Sequence, residues 1–452
     1  MMVNSRDFII HTFGCKVNTY DSGLLQKHLT GANFIENKDL GKTGSGIHVL
    51  NTCAVTQEAT REAVRTIRRI KSKNPFATVV VTGCAAQVDT GSFENLPGAD
   101  LVVANSHKAL LPQILDQFFK GQISEKVFKS NIFKKEDLGE GGGVESAHTR
   151  TFLKIQDGCN SFCTYCIIPF ARGKSQSLKI ADLVAKVNEL YAVGVREVVL
   201  TGVHIGDYED DVAGGKKSLE DLVEAMLAKT QMPRFRLSSL EPVELTSRLL
   251  ELYRNNSRLC PHFHMSIQSA NTDVLGKMKR NYGQKEVVEC LTRIRQVLPH
   301  AHIGMDVIVG FPTETEEQFE DTYLTLANLP WSRIHVFPYS EREGTKAAKF
   351  EETVPKNMRQ IRASRLRSLS SLRVVEELKK QIGIQKSVLV LKSKAKGGQG
   401  LTEDYWHVDL GEQEFPASTV LSVEIKGFEM KTETDGYLIG EVVEVIKAGS
   451  VQ

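Results

Sequence analysis

Cys159, Cys163 and Cys166 stand in one short segment, Asp157-Gly-Cys-Asn-Ser-Phe-Cys-Thr-Tyr-Cys166, directly after a strand-like apolar run. Three thiolates in a C-x3-C-x2-C loop can ligate three irons of a [4Fe–4S] cluster and leave the fourth iron open, where a cofactor can bind and take an electron. A disulfide cannot use three thiols this close, and a C-x-x-C redox pair leaves the third without a role. Zinc prefers four ligands in paired spacings; a structural zinc is the alternative reading of this loop.

A second trio is scattered but ordered. Ile9-Ile-His-Thr-Phe-Gly-Cys15, Ile47-His-Val-Leu-Asn-Thr-Cys53 and Thr78-Val-Val-Val-Thr-Gly-Cys84 each carry an apolar, β-branched run into a cysteine, and a helix-like pattern follows each. The carboxyl ends of parallel strands share one edge of an α/β sheet. Cys15, Cys53 and Cys84 are therefore expected to converge and hold a second cluster. The alternative is three small buried residues, since free cysteine is often buried. Cys260 and Cys290 lack partners at ligand spacing and read as core residues.

The elements that would position these groups fall into three units. Residues 1–124 alternate short strands, among them the three cysteine runs and Asp100-Leu-Val-Val-Ala, with helices such as the one from Leu110. That pattern predicts a small parallel α/β domain. Residues 125–150 turn polar, with Gly139 and Gly141-Gly-Gly-Val, and read as a linker. Residues 151–382 repeat strand and helix, with strands expected near Phe152, Glu197, Arg234, His262, Ile303 and Ile334. Six such units predict an open (β/α)6 barrel of TIM type, with its chemistry at the carboxyl ends of the strands. The unit closes on a basic helix over 355–382, where Lys356, Arg359, Arg362, Arg365, Arg367 and Arg373 read as a solvated face, with a grip on the RNA backbone as the alternative. Residues 383–452 alternate short strands and predict a small all-β barrel, a form that often binds nucleic-acid strands. There Tyr405 and Trp406 are candidates to stack on a base, and equally candidates for the core.

Lys and Arg number 57 against 55 Asp and Glu, a net charge of +2 over 452 residues. Composition alone therefore leaves no nucleic-acid footprint, and local basic stretches must carry that argument. Arg61, Arg65, Arg68 and Arg69 recur at helical spacing after Cys53 and are candidates for phosphate contacts, with a solvated helix face as the alternative. No apolar run approaches a membrane span, and the N-terminus shows no secretory pattern. Cysteines that bind iron imply a reducing compartment, here the cytoplasm.

Together the motifs resemble the methylthiotransferase branch of the radical S-adenosylmethionine enzymes. The resemblance runs over nearly the whole chain. It is carried by Gly14-Cys15-Lys-Val-Asn18, Asn51-Thr-Cys53, Gly83-Cys84, the segment Gln156 to Gly173, Ser238-Ser-Leu-Glu-Pro242, Ile267-Gln-Ser269, Lys277-Met-Lys-Arg280, the segment Asp306 to Thr315, and Phe337-Pro-Tyr-Ser340. It implies a radical-SAM barrel between an N-terminal cysteine domain and a C-terminal TRAM-like barrel. It implies two [4Fe–4S] clusters, one on Cys159, Cys163 and Cys166 and one on Cys15, Cys53 and Cys84, with S-adenosylmethionine chelated by the open iron of the first. Tyr165 would pack on the cofactor's adenine, and Gly202, Ser239, Glu241, Gln268, Asp306 and Gly310 would line its rim.

The implied reaction takes hydrogen from carbon two of the adenine beside the anticodon. Sulfur then enters from the second cluster, and a second S-adenosylmethionine methylates it. Both clusters must face one cavity for this, with the N-terminal sheet edge capping the barrel mouth. The phrases Phe13-Gly-Cys-Lys-Val-Asn-Thr-Tyr-Asp21 and Asn51-Thr-Cys-Ala-Val-Thr56 are most similar to the enzymes acting on threonylcarbamoyladenosine in tRNA. The isopentenyladenosine enzymes usually show Gln-Met after the first cysteine, and the ribosomal-protein enzymes Pro-Lys. Implied partners are tRNA, an electron donor such as flavodoxin or ferredoxin, and a sulfur donor, with no membrane. The rival readings are the same chemistry on isopentenyladenosine tRNA or a ribosomal-protein aspartate, and a non-catalytic iron–sulfur RNA-binding protein. The polar barrel rim argues against the last.

Overall fold

The computed structural model describes residues 6–43, 45–134, 149–213, 215–392 and 398–447. β-Branched runs form strands at Asp7–Thr12 (β1), Ile35–Glu36 (β2), Ile47–Thr52 (β3), Thr78–Gly83 (β4), Leu101–Ala104 (β5) and Val127–Phe128 (β6). They pair in parallel in the order β2-β1-β3-β4-β5-β6. β3 is buried along its whole length, as a strand covered on both faces has to be. The strand order reverses between β1 and β3, and open α/β sheets bind ligands in the crevice beyond such a reversal. Cys15, Cys53 and Cys84 follow β1, β3 and β4, three adjacent strands at that crevice. Two edge strands, β2 and β6, escape the sequence pattern because they are only two residues long. β6 also lies in the stretch read as linker, whose glycine-rich part falls outside the described residues.

The six expected central strands all form: Arg150–Lys154 (β7), Glu197–Thr201 (β8), Arg234–Leu237 (β9), His262–Gln268 (β10), His302–Val309 (β11) and Arg333–Pro338 (β12). They make two parallel three-stranded sheets, joined by the bridges Phe235–Leu259 and Leu240–Met265 into an open barrel. The helix Lys16–Gly31 (α1) of the first unit packs along β7, and its Tyr20 enters the barrel's main core.

The long basic helix, Lys356–Lys379 (α3; α2 is Gln57–Lys73), is not the solvated face expected of it. Arg359 and Arg362 are buried. Arg362 pairs with Glu314 at 2.7 Å, and Arg365 pairs with Glu320. Arg367 and Arg373 donate to the Val336 and Leu329 carbonyls. These guanidiniums brace β11 and β12, so the helix offers little grip for RNA.

The last unit is a closed barrel of Gln385–Val390 (β13), Gln399–Thr402 (β14), His407–Asp409 (β15), Val420–Thr432 (β16) and Asp435–Lys447 (β17). The glycine-flanked β14 carries no apolar run and is invisible to pattern reading. Tyr405 and Trp406 sit in the turn before β15. Trp406 is 6 % exposed, packed in the barrel core and edge-on to His302. A ring buried this way is not presented to RNA, which corrects the stacking role considered for it.

This barrel seats on the amino end of the central one. Fully buried Glu197 accepts from Arg150 (2.7 Å) and Arg236 (3.1 Å). Arg236 goes on to the Glu403 carbonyl (2.9 Å) and Arg234 to that of Leu401 (3.1 Å). Burial opposes ionisation of Glu197, yet Arg236, Arg150 and Arg234 hold its carboxyl down to about 2. A carboxyl depressed in the fold stabilises it above the unfolded value, here 4.5, and that contribution disappears as pH falls toward 2. Glu197→Gln should cost about 3–5 kcal/mol by stranding buried guanidiniums. It should lower the thermal midpoint and speed proteolytic loss of the last barrel; an unchanged midpoint at neutral pH refutes the assignment.

Candidate active site between two cysteine groups

The first group is set by close strand ends. Gly14 has φ +93°, and a Cβ there would stand 2.5 Å from the Cys53 Sγ, so only glycine lets β1 end this near β3. Asn18, on the first turn of α1, donates to the Phe13 and Thr52 carbonyls (both 2.9 Å) and pins the two ends together. Cys53 and Cys84 are buried while Cys15 is exposed. Burial pushes the Cys53 thiol up to about 11, and the neighbouring Cys84 and Cys15 sulfurs push the same way. The Val55 N–H faces the Cys53 sulfur (3.5 Å). Asn105 (3.6 Å) and Arg172 Nε (3.2 Å) face that of Cys84.

The second group lies on the loop between β7 and the short helix Ile168–Arg172. Gly158, at φ +73°, turns the chain where it crosses the Lys174 backbone. Burial pushes the Cys166 thiol up to about 12 and raises that of Cys163. Burial acts on Cys159 too, but His204 and the Ser161 N–H bring its thiol below the usual range. His204 itself is held far above the usual imidazole range: burial opposes this, but Asp207, Cys159 and Glu244 outweigh it. Its Nδ1 stands 3.1 Å from Asp207 and its Nε2 3.4 Å from Glu241.

All six cysteines are free. Two sets of three thiols, with N–H donors directed at sulfur, suit cluster thiolates, whose charge such hydrogen bonds stabilise. A buried charge network ties the two sets. Arg172 Nη1 donates to Asp157 (2.9 Å) and Nη2 to Asn18 (2.6 Å) and Asp21 (3.0 Å), while its Nε faces Cys84. Lys154 pairs with Asp21 (2.9 Å) and Asp157 (3.0 Å), and Lys108 with Asp21 (3.3 Å). Arg342, after β12, donates to the Ala54 carbonyl beside Cys53 (2.8 Å). The carboxyl edge of the first sheet therefore caps the carboxyl rim of the barrel.

Other residues singled out from the sequence scatter around this rim. The Tyr165 hydroxyl takes a hydrogen bond from Arg280 (2.9 Å), and Arg280 pairs with buried Glu241. Gly202 adjoins Gln156, whose side chain accepts from the Val203 and His204 N–H groups. Ser239 is half-buried just beyond β9. Gln268 ends β10 at φ +62°, a conformation few non-glycine residues adopt. Asp306 pairs with His264 (3.0 Å) inside the barrel, below the rim. Gly310 lies against Arg359 of the basic helix, away from the cysteines.

Arg61, Arg65 and Arg68 of α2 line an open cleft of about 1160 Å³ that also takes in Lys129, Phe133 and Phe170. Arg61 and Arg65 share Glu58, and Arg69 is exposed outside the cleft. Phe133, Phe162 and Phe170 pack ring to ring, with Phe162 and Phe170 exposed, an aromatic surface that no spacing in the sequence announced. Among the described residues no helix is long and apolar enough to cross a membrane.

Residues 153–326 match the Radical SAM superfamily profile, and residues 7–104 match that of an uncharacterized protein family, UPF0004. The threonylcarbamoyladenosine tRNA methylthiotransferase MtaB of Rickettsia prowazekii is 36% identical over 86% of this chain and 89% of its own. A tRNA-2-methylthio-N(6)-dimethylallyladenosine synthase of Staphylococcus epidermidis is 31% identical over 81% of this chain and 71% of its own. In fold, the chain resembles the radical S-adenosylmethionine methyltransferase TsrM of Kitasatospora setae, with a TM-score of 0.55 at 14% identity over 76% of this chain and 74% of that one.

Proposed function

This chain belongs to the radical SAM methylthiotransferase family, and from that membership we propose that it converts threonylcarbamoyladenosine, 3′ of the anticodon in tRNA, to its 2-methylthio derivative. The observation that carries the reading is the pair of three-cysteine groups on separate units, joined across Arg172. The cofactors are two [4Fe–4S] clusters and S-adenosylmethionine. We assign Cys159, Cys163 and Cys166 to one cluster and Cys15, Cys53 and Cys84 to the other. When bound, the first cluster would supply an electron for reductive cleavage of S-adenosylmethionine and the second would supply sulfur, the chemistry that an unactivated aromatic C–H bond requires.

The protein's part is to hold and separate these groups. Glu241 offers a carboxylate between the cations Arg280 and His204, matching the charged ends of an amino-acid cofactor. Tyr165, fixed by Arg280, offers a ring face for adenine. The capping sheet excludes water from the reacting carbon. An electron donor such as flavodoxin or ferredoxin and a sulfur donor complete the cycle, in the cytoplasm where tRNA is modified.

The anticodon arm would lie in the cleft beside α2, with phosphates on Arg61, Arg65 and Arg68 and bases on the phenylalanine surface. Replacing the three arginines by alanine should raise the KM for tRNA about 10- to 100-fold with kcat little changed. The salt dependence of binding should flatten by roughly one unit of slope for each phosphate-binding arginine removed. Filter binding at several salt concentrations checks this, and unaltered binding rules the cleft out.

The function itself is tested by nucleoside mass spectrometry after anaerobic turnover. tRNA carrying threonylcarbamoyladenosine should gain the methylthio mass. Gain on isopentenyladenosine tRNA alone would favour the reading suggested by the Staphylococcus relative. No deoxyadenosine at all would mean no radical enzyme.

A further inference from the structure

The lumen of the central barrel holds a partly open cavity of about 360 Å³, a size that suits a small ligand or part of one. All three units contribute to it. Its floor is Tyr405 of the C-terminal barrel, at φ +74°, with its ring against His262 (4.1 Å) and the guanidiniums of Arg236 (4.9 Å) and Arg150 (5.3 Å). A bulky residue held in the left-handed region is strain of the kind that collects at binding sites. The walls are the lower halves of β10, β11 and β12, including His262, His302 and Arg333. From the N-terminal unit comes Lys16, the residue directly after Cys15 and the first of helix α1.

The charges in this cavity do not cancel. Its acid, Asp435, is paired with Arg333 (3.0 Å). Asp306 above it is paired with His264 (3.0 Å). The Lys16 ammonium has no hydrogen bond or ion pair among the described residues. Buried His262 and His302 each have an Nδ1 with no partner. Burial holds His302 down to about 3 and His262 well below its ordinary range, so both are neutral imidazoles able to donate or accept. A half-buried cation without a counterion and unsatisfied neutral polar atoms describe a site awaiting a ligand that carries one negative charge and further hydrogen-bonding groups.

We propose that this cavity receives the N6 substituent of the substrate base, and that Lys16 binds its carboxylate. The proposal rests on the functional reading above. A threonylcarbamoyl group carries one carboxylate, a hydroxyl and a urea, the inventory that Lys16, His262 and His302 lack; an isopentenyl group carries none of these. Carbon two of adenine and carbon six, which bears N6, are ring atoms separated by one nitrogen. The residue next to a sulfur-holding cysteine is thus placed to read the N6 substituent while its neighbour addresses carbon two. Lys16 is a specificity-determining residue in this assignment.

The test compares tRNA bearing the free acid with the same tRNA bearing its methyl ester, on wild type and on Lys16→Met. Wild type should favour the acid roughly 10- to 100-fold in kcat/KM, the worth of a hydrogen bond between charged groups. Lys16→Met should lose that preference through its rate on the acid. Iron content and deoxyadenosine formation without tRNA should stay at the wild-type level. A Lys16→Met enzyme that still prefers the acid overturns the assignment while leaving the function intact. If the variant fails to load both clusters, wild type decides, and indifference to the ester overturns the assignment. A wild type that thiolates neither tRNA overturns the functional reading, and this assignment with it.

Discussion

Cys163→Ala should abolish deoxyadenosine formation, and with it thiolation, to the background of uncatalysed S-adenosylmethionine decay. Cys84→Ala should leave deoxyadenosine formation near the wild-type rate while eliminating the methylthio product. The contrast follows from the separation of the two groups: each set of three thiols sits on its own unit, and the units are joined by the Arg172, Lys154 and Asp21 network rather than by a shared thiol. Removing one thiolate from a cluster with three protein ligands forfeits much of its retention. Deoxyadenosine by chromatography, product by nucleoside mass spectrometry and iron per chain by colorimetry read the two losses separately. A Cys84→Ala enzyme that still inserts sulfur would sink the assignment of the first trio. A loss of cleavage in both variants would mean the centres are not independent.

Asp21→Asn should be the most damaging substitution away from the cysteines. Its carboxylate meets Lys154, Lys108 and Arg172 in a buried setting. Burial opposes its ionisation, but those three cations hold it well below the usual carboxylate range. The amide would leave Lys154 and Arg172 sharing Asp157 and Lys108 with only the Asn51 amide oxygen, and cost about 3–5 kcal/mol. Because Arg172 loses one of its anchors, product should fall further than deoxyadenosine, so the uncoupled fraction rises. The sign with pH follows from the depressed carboxyl: its contribution is complete above the unfolded value of 3.8 and is lost as pH drops below it. Acid unfolding of wild type should therefore begin at higher stability than that of Asp21→Asn, and the two should converge at low pH. Equal thermal midpoints at neutral pH would refute the role given to Asp21.

The cysteine loop and the strand-then-cysteine runs were legible because their information is local. A ligand spacing and a β-branched run are complete within a few residues. The six barrel strands were legible for the same reason. The Asp21–Arg172 network was not, because its members come from separate units of the chain and obey no period. The basic helix misled in the opposite way. Its arginines look solvated in sequence, and their acidic and carbonyl partners come from β11, β12 and the segments that follow them. Trp406 could be read either as a base platform or as core, and only closure of the five-stranded barrel decides for the core. Lys16 gave a family phrase but no hint that its side chain would stand unpaired in a lumen floored by another unit.

The seat of the last barrel on Arg234, Arg236 and Glu197 changes what a truncation would mean. Such barrels are readily taken for detachable RNA clamps. Here Tyr405 narrows the far end of the chamber, so cutting the chain ahead of β13 would strip away its floor and leave that end wide open. Dioxygen and solvent could then reach a carbon radical from behind, and the shortened enzyme would be expected to quench itself and shed iron even on a tRNA it could still grasp.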